Sequence, residues 1–456
     1  MDGTPGALGG RGSAMTEINC TWRTLALLEL NRKKFKMEST RTRPLANLLL
    51  LGATLSGVTG QSLGAEPPSM DRLAMENADL RKRLETLESI AQKEGILASG
   101  QAPAMSPVKA LSNLTISGFV QASYFYNTRE PADRKSDGYL WNTSHNSFSL
   151  NKFKLTLASP PPERSGETWG AGYRTSMIWG EDAPVLNTGS PYAGFEALRE
   201  AYVEVNAPVG TGLNIKFGQL ISLLNWESGD GGAANPNFSQ GYQWFFTGNG
   251  PSTGAQVGYT FTEWLDVKVR VQNGMYAGPI DGNSGKTAMG SVGLKPTKDL
   301  WINLIGFGGD ESATLAVKGG SVLAGYNFTS DWHAGMEFDY FNFDSKPGAS
   351  ADLWSIGGWL WYDFTANLSG AFRAEFLDDP DGGGLKGIGL RGRPGSAIFS
   401  TDPDGSLASL TFTLTWKPTP NLKVQPEIRY DHTGYKGGLD GEKDRFTIGA
   451  GVSYLF

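Results

Sequence analysis

Three histidines, His145, His333 and His432, are the only imidazole groups in the chain, and they lie far apart in the sequence. A catalytic triad or a zinc site needs histidine together with a nucleophile or further ligands, and no such spacing accompanies any of them. Two aspartate-rich segments, 378–382 and 402–405, lack the twelve-residue calcium spacing that ends in glutamate. We interpret these segments as solvated turns, and we predict no enzyme activity, no metal site and no cofactor.

The remaining candidate chemistry is electrostatic, and it centres on one long polar segment, residues 222–251. This segment carries Glu227 and Asp230 together with a cluster of aromatic residues, and it is too long to be a turn. Six basic residues from several alternating stretches are predicted to lie on a pore wall around this segment: Lys152, Arg174, Lys216, Lys268, Arg270 and Arg373. Opposed charges of this kind create a transverse field that orients water and polar solutes. Such an arrangement requires a scaffold that brings many chain segments around one space.

Alternation of apolar and polar residues after residue 112 indicates what this scaffold is. Between Phe446 and Phe456, apolar residues occupy every second position, with polar or small residues between them. The same period of two occurs over residues 422–431 and 265–272. The pattern predicts an all-β fold of about 16 antiparallel strands, and counts of roughly fourteen or eighteen also fit it.

Alternation alone fits a soluble sheet or a membrane barrel with an aqueous lumen. Three features favour the barrel: no linker interrupts residues 113–456, short turns alternate with long polar segments, and aromatic residues flank the short turns. These girdle residues are Tyr259, Phe261, Trp264, Trp301, Phe328, Trp332, Tyr362, Phe364 and Trp416. We therefore predict a transmembrane β-barrel in outer-membrane lipid. Tyr454 and Phe456 are the predicted C-terminal insertion signal for the barrel-assembly machinery.

The N-terminal region is predicted to direct export and self-association. Residues 37–65 have the basic start, apolar core and small-residue cleavage site of a signal peptide, so residues 1–36 are predicted to be a non-native extension. A long basic leader is the alternative. Residues 69–94 carry a heptad repeat that predicts a short coiled-coil helix in the periplasm, and residues 95–112 a flexible linker. The alternative is a single amphipathic helix that lies on a neighbouring surface or plugs a lumen.

Composition restricts the partners further. The formal net charge is −6 and the pI is about 5.4, which argues against nucleic acid as a partner. Cys20 is the only cysteine, and it precedes the predicted signal peptide, so the exported chain is predicted to have no disulfide. No apolar run is long enough for a membrane-spanning helix.

Residues 196–275 also contain motifs in the order shown by a known family. They are residues 199–204, Pro208, 212–219, Glu227, 235–237, 239–246, 250–251, 253–254 and 271–274. In these motifs the chain resembles the OmpL-like family of β-barrel porins, although the family more often has lysine at the position of Gln219 and proline and glycine near 223–226. The resemblance implies an outer-membrane channel for small hydrophilic solutes. Phosphate-selective porins have a similar layout of signal, coiled coil and barrel.

Together these observations predict a trimeric outer-membrane porin for passive diffusion. Weak ion selectivity is expected because the predicted lumen-facing charges of the two signs nearly cancel. The alternatives are a substrate-selective channel for phosphate or carbohydrate, and a structural outer-membrane anchor linked to the periplasm. Residues 222–251 are predicted to fold into the lumen, where Glu227 and Asp230 would confront Lys152, Arg174 and Lys216. The alternative is an external flap over the rim or in a subunit contact.

Overall fold

The computed structural model describes residues 82–83, 113–139, 141–186, 196–275, 281–346, 348, 350–380, 405–435 and 438–456. The predicted signal peptide and linker, and the coiled-coil helix except for helical residues 82–83, lie outside these described residues. Within the described part of the chain, no helix is long and apolar enough to cross a membrane.

Sixteen antiparallel strands form a closed barrel in which every strand pairs with its neighbours in sequence and β1 pairs with β16. The strands are β1 Thr115–Asn127, β2 Ser147–Ala158, β3 Gly170–Trp179, β4 Leu198–Ala207, β5 Leu213–Leu220, β6 Ser252–Thr262, β7 Leu265–Gln272, β8 Thr287–Leu294, β9 Leu300–Ser312, β10 Leu315–Asn327, β11 Trp332–Ser345, β12 Ser350–Thr365, β13 Leu368–Asp379, β14 Gly405–Thr419, β15 Leu422–Thr433 and β16 Asp444–Leu455. The predicted fold class and strand count are confirmed.

Backbone hydrogen bonds close the barrel between its two ends in sequence. The amide of Gly118 donates to the carbonyl of Phe456 at 2.9 Å, and the amide of Phe456 donates back to Gly118 at 3.0 Å. Closure leaves no unpaired sheet edge, which lipid cannot tolerate because it offers no hydrogen-bond partner. The start of β1 and the end of β16 therefore lie at the same end of the barrel, together with the short turns.

The connections at the other end include three loops that matter for the site. We call residues 128–146 loop 1, residues 180–197 loop 2 and residues 221–251 loop 3. Loop 2 begins with the helix α1, Ala183–Leu186, and loop 3 contains a 3-10 turn, Gly231–Ala233, and the helix α2, Tyr242–Phe246. Short turns mark the periplasmic end of an outer-membrane barrel, so these loops start at the external end.

The sequence underestimates the length of two strands. Alternation predicts strands at residues 300–308 and 320–328 and none at 309–319, yet β9 and β10 continue to a two-residue turn at 313–314. Glycine and charged residues, such as Gly309 and Asp310, remove the apolar alternation from this hairpin. Backbone pairing needs no apolar side chain where the strands extend beyond the lipid, so the pattern ends before the strands do.

The apolar sides of the strands face outward, as the alternation predicts. Exposed aromatic residues near the short turns form most of the predicted girdle: Phe261, Trp264, Phe328, Trp332, Phe364 and Trp416. The prediction that Trp301 belongs to the girdle is wrong, because its ring lies on the lumen side of the barrel. A Cβ atom built on Gly325 of β10 would lie 2.3 Å from its Nε1, and Trp301 packs against the buried apolar cluster. Since β9 residues alternate between faces, outward-facing Leu300 and Ile302 place Trp301 inside.

Adjacent residues of β9 offer a test of this orientation. Leu304 is 44% exposed on the outside, whereas Asn303 faces the lumen, opposite Gly293 and Leu323. We expect Leu304→Lys to reduce assembly strongly, because a lysine in the lipid region costs up to about 2–4 kcal/mol. Asn303→Lys places the same charge in water and is expected to assemble normally. Heat-modifiable mobility of the two variants in detergent gels measures assembly, and equal yields would contradict the orientation.

Candidate functional site inside the barrel

Loop 3 lies inside the barrel and crosses to the opposite wall. It leaves the sheet between β5 and β6, yet the amide of Phe238 donates to Glu427 Oε2 on β15 at 2.8 Å. The amide of Trp226 donates to Glu337 Oε2 on β11 at 3.0 Å. Because β11 and β15 lie on the far side of the ring of strands, loop 3 spans the lumen. The external-flap alternative is therefore wrong.

An aromatic cluster joins loop 3 to loop 1. The ring of Trp141 in loop 1 stacks on Phe245 at 4.6 Å between centroids and meets Trp244 edge-on at 4.1 Å. Tyr242 and Phe246 of α2 are also fully buried. Such rings bury large apolar areas, so they hold the two loops together within a lumen that is otherwise polar. The β11–β16 side of the barrel is filled by this packing.

Tyr139 ties loop 1 to the wall beneath this cluster. Its hydroxyl donates to Asp431 Oδ2 on β15 at 2.6 Å, and the guanidinium groups of Arg429 and Arg445 lie 4.6 and 4.3 Å from its ring centroid. Burial raises the pKa of Tyr139 to about 12, although Arg429 acts in the opposite direction. The hydroxyl therefore stays protonated at neutral pH and continues to donate to Asp431.

Glu227 anchors loop 3 to β13 and β12. Its Oε1 lies 2.7 Å from Arg373 Nη1 and accepts a hydrogen bond from Trp359 Nε1 at 3.1 Å. Its Oε2 accepts from the amide of Gly241 at 2.8 Å, and Arg373 also pairs with Glu375 at 3.0 Å. Burial raises the pKa of Glu227, and Arg373 opposes that rise. The sequence predicts Arg373 on the pore wall, but the structure buries it beneath loop 3.

Asp230 is the carboxylate that loop 3 presents to the other side of the lumen. Lys154 Nζ on β2 lies 2.8 Å from it, and the Asp230 side chain is 24% exposed. The predicted partners pair elsewhere: Lys152 with Asp182 at 2.9 Å, Arg174 with Glu200 at 2.7 Å and Lys216 with Glu204 at 3.6 Å. Lys152 is also buried under loop 2 rather than exposed on the wall. Which carboxylate Lys152 meets depends on the path of loop 2, and the alternation of residues along the strands does not predict that path.

An open cavity of about 580 Å³ separates loop 3 from the β2–β7 wall. Basic side chains from this wall line it: Lys154, Arg174, Arg199, Lys216, Lys268 and Arg270. Glu227 and Asp230 belong to the opposite lining, which loop 3 provides. The structure thus brings four of the six predicted wall residues together with both predicted loop carboxylates.

Arg199 lines the cavity although simple alternation places it on the lipid side. The pairing of β3 with β4 passes from Glu200 opposite Ser176 directly to Leu198 opposite Met177, so the register skips Arg199. A β-bulge of this kind turns one residue away from its expected face. Charge gives the one signal in the sequence, because an arginine on the lipid face of a barrel strand would be costly.

The predicted C-terminal residues lie on the outside of β16. Tyr454 and Phe456 are both exposed there, and Tyr454 pairs in register with Val120 of β1. Their position is compatible with recognition of the strand before closure. Their role as an insertion signal stays a prediction.

A closed sixteen-stranded barrel with an apolar outside, a charged inside and an inserted loop defines a channel of the porin class rather than an enzyme. The chain belongs to the family described as "Putative beta-barrel porin-2, OmpL-like", whose model matches residues 113–456. The predicted family is thereby confirmed, and with it a location in the bacterial outer membrane.

Solved structures of similar shape are outer-membrane proteins with low sequence identity. An anion-selective porin from Comamonas acidovorans and a loop L8 deletion mutant of OmpT from Vibrio cholerae each have 11% identity and a TM-score of 0.49, over 75% of this chain and 99% of theirs. The channel DcaP of Acinetobacter baumannii has 13% identity and a TM-score of 0.48, over 75% and 97%. These likenesses carry no conclusion about solutes. Comparison with curated proteins gives no significant match.

Proposed function

We propose that the protein is a porin through which small hydrophilic solutes diffuse passively between loop 3 and the β2–β7 wall. The open cavity carries this proposal, because it lies beside a part of the wall that has accessible charged side chains. Arg174 is 39% exposed and Lys268 is 30% exposed, whereas Arg373 and Arg429 on the filled side are buried. Water and solutes therefore have space on one side of loop 3.

Weak ion selectivity follows from the way the exposed charges are paired. Arg174 lies beside Glu200, Lys216 beside Glu204, and Lys268 beside Asp266 at 3.3 Å. Each of these three exposed basic groups thus has a carboxylate neighbour on the same wall. Across the cavity, Asp230 faces this wall from loop 3. Both signs are present along the route, so the field orients dipoles and gives only a mild charge preference.

Electrical recording in a planar bilayer tests the proposal. The purified protein is expected to produce steady stepwise currents, because a water-filled passage conducts ions in proportion to the voltage. A structural anchor with a closed lumen would give no steady current, and that result would overturn the proposal. Liposome swelling with neutral sugars and amino acids extends the test to uncharged solutes.

Charge reversal on the open wall gives a second prediction. We expect Arg174→Glu combined with Lys216→Glu to shift the reversal potential in a salt gradient toward cation preference, since two accessible positive charges become negative. Lys286→Glu combined with Lys346→Glu is the matched control, because these residues are exposed outside the cavity. A shift of equal size in the control would mean that the cavity does not set selectivity.

We extend the proposal to the remainder of the chain. A signal peptide at 37–65, a coiled-coil helix at 69–94 and a linker at 95–112 would precede the barrel at 113–456. Because β1 starts at the end with the short turns, the preceding helix would lie in the periplasm, where its heptads support a trimer. Outer-membrane lipid and the barrel-assembly machinery are the further proposed partners, with Tyr454 and Phe456 recognised by the machinery.

A further inference from the structure

Indole rings line the lumen wall of β9–β12, where a wide barrel normally has polar side chains. Trp226 of loop 3 stacks on Trp359 of β12 at 4.6 Å with an interplanar angle of 19°. Trp226 also contacts Trp361 at 5.6 Å, and Trp361 stacks on His333 of β11 at 5.0 Å. We call these four residues, Trp226, Trp359, Trp361 and His333, the aromatic strip.

Glycines of the wall allow rings to lie close against the backbone. A Cβ atom on Gly335 of β11 would lie 2.3 Å from Trp226 Cε2, so this position must lack a side chain. Gly325, which pairs in register with Gly335, makes the same room for Trp301. The two tryptophans therefore cover neighbouring glycines. Trp226, Trp301 and Trp361 are half-buried rather than enclosed, which leaves part of each ring accessible to the lumen.

The strip begins at the open cavity and continues toward the periplasmic end. Trp226 lines the cavity itself. Gly335 pairs with Trp359, and His333 pairs with Trp361 two residues further toward the short turns, which is a step of about 7 Å. A solute that passes loop 3 therefore meets the strip next.

Polar groups border the strip where it approaches the periplasm. His333 Nδ1 lies 2.7 Å from Asn327 Oδ1, and His333 Nε2 lies 3.4 Å from Asp363 Oδ2. The Asp363 side chain is 44% exposed, so its carboxylate is available to a solute. Apolar ring surface with a few convergent polar groups is the composition of a small-molecule site rather than of a plain water channel.

From this arrangement we infer that the aromatic strip is a binding track for pyranose sugars on the periplasmic side of loop 3. A pyranose has C–H faces that pack against indole and hydroxyl groups at its edge that can donate to Asp363 and exchange hydrogen bonds with Asn327 and His333. Trp359 is buried beneath Trp226, so Trp226 and Trp361 provide the accessible ring surfaces of the strip. Two such surfaces, about one step apart, suit a solute of two or more sugar units. This inference rests on the proposed channel function.

Maltotriose and sorbitol distinguish ring stacking from simple crowding in bilayer recordings. Maltotriose is expected to reduce the open current in a saturable manner, whereas sorbitol, which has hydroxyl groups but no ring face, is expected to have no saturable effect. We expect Trp361→Ala to weaken the maltotriose block at least fivefold compared with the wild type, where block is measured as a fraction of each variant's own open current. Trp361→Phe should retain most of the block. Trp416→Ala removes an exposed tryptophan from the lipid-facing girdle, and maltotriose should block this variant as it blocks the wild type.

Several outcomes separate the inference from the proposed function. Absence of any current would overturn the channel itself. Normal current without saturable maltotriose block would overturn the sugar track alone, and so would saturable block by adenine but not by maltotriose. If Trp361→Ala does not assemble, tryptophan fluorescence of the wild type provides the test: maltotriose should shift its emission in a saturable manner, and no shift would overturn the inference.

Discussion

Deletion of residues 230–248 is expected to raise the single-channel conductance several-fold. This segment contains the 3-10 turn and α2, and it contacts β12–β16 across the lumen, where its amides donate to Glu427 and Glu375. Its removal would empty the filled side of the barrel, and ionic current grows with the open cross-section. The strands keep their own hydrogen bonds, so the barrel is expected to survive the change.

Planar-bilayer recording of the deletion variant beside the wild type measures this effect. Heat-modifiable mobility in detergent gels is the control for correct folding. An assembled barrel with unchanged conductance would contradict the position of loop 3 in the conducting route. The deletion leaves Glu227 in place, so the ion pair between Glu227 and Arg373 remains. The change is therefore confined to the part of loop 3 that follows Glu227.

Loss of the Arg373 guanidinium is expected to produce the largest loss of stability from one substitution inside the barrel. Arg373 is fully buried between Glu227 and Glu375, at 2.7 and 3.0 Å. Arg373→Met would leave two buried carboxylates without their cation, and breaking a buried pair in this way costs about 3–5 kcal/mol. Loop 3 would then detach from β13, and the open current should fluctuate.

The unfolding temperature in detergent and the current noise measure this prediction. Lys346→Met is the matched control, because its pair with Asp310 is exposed and contributes at most about 1 kcal/mol. Arg373→Met combined with Glu227→Gln should recover part of the stability, since one unpaired charge is removed as well. Equal stability of Arg373→Met and Lys346→Met would show that the buried pair does not hold the loop.

The strand pattern is predictable from the sequence because lipid imposes it. Every second residue of a spanning strand must be apolar, as Phe446 and Ile448 of β16 are, and this requirement acts on each strand separately. Beyond the lipid the constraint disappears, which explains the unpredicted ends of β9 and β10. Trp301 shows a different limit, since an aromatic residue near a short turn suits the girdle or a glycine-lined lumen equally well.

The lumen is less predictable because its contacts join residues that are distant in sequence. Alternation places Lys152, Lys154 and Arg373 inside, but only the paths of loops 2 and 3 decide which carboxylate each one meets. The bulge at Arg199 shifts one residue between faces, and a bulge changes local pairing without a clear mark in the sequence. The aromatic residues of the long loop 3 nevertheless indicate that it folds into the lumen, because its apolar side chains need a place to pack.

Cysteine accessibility inside the lumen most directly tests whether the passage lies between loop 3 and the β2–β7 wall. The single native cysteine, Cys20, precedes the predicted signal peptide, so an introduced cysteine would be unique after export. Lys268 is 30% exposed in the cavity, whereas Thr411 of β14 also faces the lumen but is fully buried beneath loop 3. A negatively charged methanethiosulfonate should rapidly reduce the current of Lys268→Cys and leave Thr411→Cys unchanged. Rapid current loss in Thr411→Cys together with no response in Lys268→Cys would contradict this route.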